Sequence, residues 1–169
     1  SAASDVYKRQ IKVWGHPSYG GDQNKAPKGS GFKQIFSNAN GFAALGQNGS
    51  ISSWGTYPFY NLGTFVDITY ADPVGTGFTQ IFSTGTAFAA LDQQGAIKVW
   101  GDPNSGGDQA KAPSGSGFSQ IVSNSGAFAA LDQQGAIKVW GDSRYGGDQA
   151  MAPSGSRFQS IQTVLDADQ

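Results

Sequence analysis

The chain has 169 residues, with 11 Lys and Arg against 12 acidic residues and a net charge of −1, so it offers no basic field to a nucleic-acid backbone. It has no cysteine, which excludes disulfides, thiolate metal sites and thiol nucleophiles. Every acidic residue is Asp, Glu is absent and Gly numbers 25, a composition poor in helix formers that points to turns and strands.

The first ten residues, SAASDVYKRQ, match nothing later in the chain. The bases TCAGATGTGTATAAGAGACAG translate to Ser4 through Gln10, so residues 1–10 resemble the translated adapter of a transposon-based sequencing library. They are expected to contribute nothing to the fold. On this reading the chain from Ile11 onward is a piece of a longer, metagenomic gene. No apolar run approaches the roughly 18 residues of a membrane helix, so no membrane span is expected.

From Ile11 a repeat begins. Trp14, Trp54, Trp100 and Trp140 each precede Gly, at spacings of 40, 46 and 40. Phe42, Phe88 and Phe128 each open Phe-Ala-Ala-Leu, at spacings of 46 and 40. Phe32, Phe78, Phe118 and Phe158 are each followed three residues later by Ile. The sixteen residues Ala87–Asp102 recur unchanged as Ala127–Asp142. A fixed period means a supersecondary unit that buries its faces by stacking on neighbours. The units are placed at about 11–49, 50–95, 96–135 and 136–169. The Trp residues are expected to be equivalent.

Each unit reads as three short strands. In the third, these are the run from Phe118 to Ser123, then Ala127 to Leu131, then Ile137 to Gly141, with Asp132-Gln-Gln-Gly135 as a tight turn. In the last strand Ile137 and Val139 face one way, Lys138 and Trp140 the other. A Gly-Gly-Asp and Ala-Pro stretch follows. Pro27, Pro113 and Pro153 confine any weak fourth strand there to the outer edge. The expected fold is all-β, a partial β-propeller of about four units, each an antiparallel blade of three or four strands.

The second unit is six residues longer than the others, and the segment 56–70 that accommodates the insertion holds Tyr57, Phe59, Tyr60, Phe65 and Tyr70. It reads either as an extra strand packed on the blade or as an exposed anchor for a partner.

The candidates for chemistry reduce to structure. His16 aligns with Thr56, Asp102 and Asp142, so the repeat does not require it and no nucleophile accompanies it. Asp102, Asn104 and Asp108 have the spacing of hard calcium ligands, but Arg144 stands at a ligand position of the matching set, so turn capping is the better reading. The Asp92 and Asp132 loops each hold one carboxylate, which rules out a local glycosidase pair. Gly75-x-Gly77 and Gly115-x-Gly117 precede strands, not helices. No metal, cofactor or catalytic residue is assigned.

The pattern Gln120-Ile-x-Ser, Phe-Ala-Ala-Leu, Gly, Ile-x-x-Trp-Gly and Gly-Gly resembles the regulator of chromosome condensation repeat. The 40-residue unit with Ala-Pro in its return loop is most similar to secreted propeller-type β-lactamase inhibitory proteins. The resemblance covers Ile11 to about Leu165. It departs in two places. Ser-Asn or Ser-Thr replaces the Gly-Gly before the second strand, and Gly41, Ala87 and Ala127 lie where a His is usual. The resemblance implies a ring of about seven blades, of which this chain would be a part. It favours a secreted or cell-surface setting. It also implies a non-enzymatic scaffold whose rim loops bind other proteins.

Loop residues that differ between units are the binding candidates. Tyr57, Phe59 and Tyr60 lead, followed by Tyr19, Arg144 and Tyr145. Asn104, Asn38, Asn40 and Asn124 complete the set. The partner is an unidentified protein or glycan, a carbohydrate-binding or adhesin-type surface being the alternative. Nucleic acid is not expected. Terminal blades without neighbours are expected to drive self-association.

Overall fold

The computed structural model describes residues 10–162. The adapter-like segment lies outside these residues except for Gln10, as does the last unit beyond residue 162. Ten strands form three antiparallel sheets. The first contains β1 (Phe32–Ser37), β2 (Gly41–Gly46), β3 (Ile51–Asn61) and β4 (Thr64–Thr69). The second contains β5 (Phe78–Ser83), β6 (Ala87–Asp92) and β7 (Ile97–Gly101). The third contains β8 (Phe118–Ser123), β9 (Ala127–Asp132) and β10 (Ile137–Gly141). In each sheet neighbouring strands are consecutive in sequence. A period can be cut at any phase; hydrogen bonding cuts this one before Phe32, Phe78 and Phe118.

The register repeats with the sequence. Phe42 lies opposite Trp54, Phe88 opposite Trp100 and Phe128 opposite Trp140. Each pair of rings stacks, with centroids 5.2–5.3 Å apart. The second and third strands are joined at Gly49, Gly95 and Gly135, whose φ values of 78, 75 and 76° suit glycine. A bulge interrupts the ladder near the start of β1, β5 and β8. There the hydroxyls of Thr79 and Ser119 donate to the carbonyls of Leu91 and Leu131, both at 3.2 Å.

The middle strand bonds to both neighbours and is covered on both faces, which is why it is Ala-rich. Ala43, Leu45 and Ile51 on the rear of blade 1 pack against Phe78, Ile81, Phe88, Ala90 and Trp100 on the front of blade 2. Ala89, Leu91, Ile97 and Val99 repeat this against Phe118, Ile121, Phe128, Ala130 and Trp140 of blade 3. The expected split of Ile and Val from Trp across the third strand is present here. First strands are also tied together: Ser83 Oγ donates to the Ser37 carbonyl at 2.9 Å, and Ser123 Oγ to the Ser83 carbonyl at 2.6 Å. Three small antiparallel sheets stacked face to face in this way are blades of an all-β propeller.

Two features depart from the regular blade. Trp14 is 85% exposed while the other three tryptophans are buried. No Phe-Ala-Ala-Leu strand precedes it among the described residues, so its ring has nothing to stack on. The Pro-containing return stretch is not a strand either. Its place at the outer edge is taken by one glutamine side chain. Val99 N–H donates to Gln109 Oε1 at 2.9 Å, and Gln109 Nε2 donates to the Ile97 carbonyl at 3.2 Å. Gln149 makes the same two bonds to Val139 and Ile137, and Gln23 to Val13 and Ile11. Each amide imitates the edge of a missing strand. In blade 1 the Asp72 carboxylate accepts from Ser53 N–H instead.

Candidate functional site

The loops that vary between units gather at one end of the blades. Three are short 3-10 turns after Trp-Gly, at Pro17–Tyr19, Pro103–Ser105 and Ser143–Tyr145. Each is capped from the preceding residue: His16 Nδ1 accepts from Ser18 N–H at 3.3 Å, Asp102 Oδ1 from Asn104 N–H at 3.0 Å, and Asp142 Oδ1 from Arg144 N–H at 2.9 Å. The histidine and both carboxylates thus serve the same structural purpose. Asp108 caps Ala110 in the same manner.

The loops before the middle strands meet these turns. Thr84 Oγ1 donates to the Ser105 carbonyl at 3.0 Å, and Asn124 Nδ2 to the Tyr145 carbonyl at 2.8 Å. Backbone bonds join one such loop to the next: Ala39 N–H to the Gly85 carbonyl at 3.2 Å, and Gly85 N–H to the Ser125 carbonyl at 2.9 Å. The result is one continuous rim.

The insertion rises from this rim as a hairpin. β3 continues past Gly55 and pairs with β4, placing Tyr57 opposite Ile68, Phe59 opposite Val66 and Tyr60 opposite Phe65. Its two ends answer the two readings of the sequence differently. At the root, Tyr57 and Tyr70 are buried against Phe88 and Trp100, with Phe59 and Ile68 packed on that cluster. At the tip, Tyr60 is 61% and Phe65 75% exposed, their ring centroids 4.8 Å apart. Leu62, in the turn, has φ 48° and is 97% exposed. The leading candidate Tyr57 is therefore a packing residue. Strand alternation turns it inward and its neighbours Pro58 and Tyr60 outward.

The root replaces a loop used elsewhere. In blades 1 and 3 the indole N–H donates to a glycine carbonyl of the preceding rim turn, Trp54 to Gly20 at 3.0 Å and Trp140 to Gly106 at 3.2 Å. A Cβ at either glycine would lie 2.6 Å from a carbon of the Phe ring. In blade 2 the Tyr70 ring lies edge-on to Phe88, centroids 5.2 Å apart. The Trp100 N–H is left buried with no partner, as is the Ser53 hydroxyl. Tyr70 Oη donates to the Thr86 carbonyl at 3.2 Å and accepts from Asn38 Nδ2 at 2.9 Å. Burial pushes both phenols, Tyr57 and Tyr70, above their ordinary value.

The other candidates divide in the same way. Asn38 is engaged with Tyr70, and its Oδ1 also accepts from Asn40 N–H. Asn124 Oδ1 accepts from Gly126 and Ala127 N–H. Tyr19 and Tyr145 are about half exposed, and Asn104 and Arg144 are exposed. Arg144 Nη2 lies 2.6 Å from Asp142 Oδ2 and holds that carboxyl below its usual range. Leu62 and Val66 were not among the sequence candidates. The signal for them was the apolar alternation on both sides of Leu62-Gly63.

No protein-family model and no curated protein matches the chain. Solved structures do. Prp20p from Saccharomyces cerevisiae, studied with its binding to Gsp1p and histones, is 18% identical with a TM-score of 0.49, over 65% of this chain and 30% of that one. Yeast RCC1 (Prp20) bound to Kap60 is 17% identical with a TM-score of 0.49, over 64% and 29%. Human WBSCR16 is 21% identical with a TM-score of 0.41, over 65% and 34%. The match thus spans about a third of the length of each of these structures. At such identities the similarity concerns the fold alone.

Proposed function

We propose that this chain is a non-enzymatic scaffold whose rim binds another protein, with the tip of the β3–β4 hairpin as the anchor. The observation that carries this reading is the exposed Tyr60–Phe65 pair on a hairpin whose root is fixed in the core. A rigid root means that little conformational entropy is lost when the tip is engaged. Aromatic side chains are the type that dominates binding hot spots. Tyr19, Tyr145 and Arg144 line the same rim and would extend the contact.

The test is affinity capture followed by titration of the recovered partner. Tyr60→Ala with Phe65→Ala is expected to weaken binding tenfold or more, since a hot spot is worth about 2 kcal/mol. The unfolding midpoint should not move. Undiminished affinity with both rings removed would place the contact elsewhere or nowhere on this rim.

A further inference from the structure

The β3–β4 hairpin is a two-stranded ribbon with two edges. Leu62 and Gly63 have φ values of 48 and 87°, as in a two-residue type I′ turn, so Asn61 and Thr64 are the closing hydrogen-bonded pair. Bonded and non-bonded pairs alternate from there. Phe59 with Val66 and Tyr57 with Ile68 are bonded pairs; Tyr60 with Phe65, Pro58 with Asp67 and Thr56 with Thr69 are not. The backbone groups of the second set therefore point out of the ribbon. Those of Thr56, Pro58 and Tyr60 leave from the β3 edge, and those of Phe65, Asp67 and Thr69 from the β4 edge.

The two edges differ. In the middle of the β3 edge stands Pro58, which has no N–H to offer a further strand. Opposite it on β4 stands Asp67, and among the described residues Phe65, Asp67 and Thr69 have no backbone bond outside the hairpin. The fold closes its other outer edges: Gln23, Gln109 and Gln149 clamp three of them, and Asp72 caps the lower part of β3. An edge lies in the plane of its sheet, whereas blades stack on the faces, so a unit stacked on either face of blade 1 leaves the β4 edge open. We infer that an extended segment of another protein adds to this edge as a further strand, with a Lys or Arg facing Asp67 and an apolar side chain beside Phe65. The inference rests on reading the hairpin as the binding element, and it specifies how the partner is held.

Asp67 selects the occupant. It is the hairpin's one charged residue, it is exposed, and it has no ion pair among the described residues. Strand alternation puts it on one face with Phe65 and Thr69. A second copy of this chain fits badly. The register that pairs all of β4 with its own copy sets Asp67 opposite Asp67, and like charges directly opposite are destabilising. A basic residue at that place is attracted instead. Main-chain bonds to Phe65, Asp67 and Thr69 then supply affinity, and the side chains on their shared face supply specificity.

Panning a library of random displayed peptides against the full chain tests this. The enriched sequences are expected to share a Lys or Arg with an apolar residue two positions away. Such a peptide, titrated by fluorescence anisotropy, should bind Asp67→Pro tenfold or more weakly than the wild type. Proline there removes the outward N–H but none of the hairpin's own bonds, so the unfolding midpoint should hold. Asp67→Lys keeps the N–H and should instead prefer the same peptide with Glu in place of its basic residue. Enriched peptides without a basic residue, or no enrichment, overturn the inference. So does an Asp67→Pro variant that binds as tightly as the wild type, or an Asp67→Lys variant with the charge preference unchanged. Self-association of the wild type that Asp67→Pro abolishes would make a second copy the occupant, and overturns it as well. Capture of a partner that needs the Tyr60 and Phe65 rings but tolerates Asp67→Pro would end this inference alone and leave the reading of the hairpin tip standing.

Discussion

Tyr70 does with one ring what a whole rim turn does beside the other blades. It covers the Phe–Trp stack of blade 2, but it offers no carbonyl to the indole, so the Trp100 N–H stays unpaired. A buried unpaired donor costs roughly 1–3 kcal/mol. Tyr70 also imports a titratable group. Burial disfavours its ionised form, so the folded chain keeps the phenolic proton to higher pH than the unfolded chain does. Stability is therefore complete below the unfolded phenol value of about 10 and falls as pH rises above it. Tyr57, raised for the same reason, acts in the same direction. Urea midpoints at roughly pH 9 and pH 11 should show this loss in the wild type and a smaller one in Tyr70→Phe. Equal losses in the two proteins would assign the effect to other groups.

At the level of elements, the glutamine clamp explains how a three-stranded blade keeps its outer edge closed. Gln109→Ala removes two hydrogen bonds and opens Val99 N–H and the Ile97 carbonyl to solvent or to another chain. The expected cost is about 1–2 kcal/mol, at roughly 1 kcal/mol per bond, seen as a lower urea midpoint with an unchanged m-value. An edge-sensitive amyloid dye should respond as well. A change below about 0.5 kcal/mol would mean that water replaces the clamp at no cost. The strands themselves were legible in the sequence, because four copies of one pattern fix the period and Gly95 and Gly135 mark the turns. The clamp was not legible. Its partners are backbone groups 10 and 12 residues upstream, which leave no trace in side-chain pattern. The prolines only limited any fourth strand to the outer edge, and that edge is sealed by a side chain. The site was half legible: aromatics within 56–70 marked the hairpin, but only the Leu62-Gly63 turn sets which of them face inward. A leucine at positive φ gives no warning of such a turn. Trp14 keeps the clamp and the turn of its equivalents, and only its ring differs in being exposed.

For the molecule as a whole, each blade touches its sequence neighbours through the same few bonds. Phe78 N–H donates to the Gly49 carbonyl, Phe118 N–H to Gly95 and Phe158 N–H to Gly135, each at 3.0 Å. Stability is then a sum of blade terms and nearest-neighbour interfaces, as in other repeat proteins. The two interfaces are not equal. That between blades 2 and 3 carries Val99 and a paired Trp140, whereas that between blades 1 and 2 carries Ser53 and the unpaired Trp100. In exchange for that weaker seam, the rim gains a protruding hairpin.

The sixteen residues shared by Ala87–Asp102 and Ala127–Asp142 bear on how the chain finds this arrangement. During refolding, β5 meets two indistinguishable partners, β6 after 3 intervening residues and the identical β9 after 43. Loop closure favours the nearer one by only roughly 2 kcal/mol. Beyond that, sorting depends on the flanking contacts, such as Thr84 to Ser105, which form only with the correct copy. A fraction of molecules should therefore pair across blades and escape slowly. Stopped-flow refolding is expected to show a slow phase that prolyl isomerase does not accelerate. A single fast phase of full amplitude would show that closure entropy alone tells the copies apart. The slow phase, by contrast, would mean that sequence identity between blades imposes a kinetic burden on folding that is absent from the finished structure.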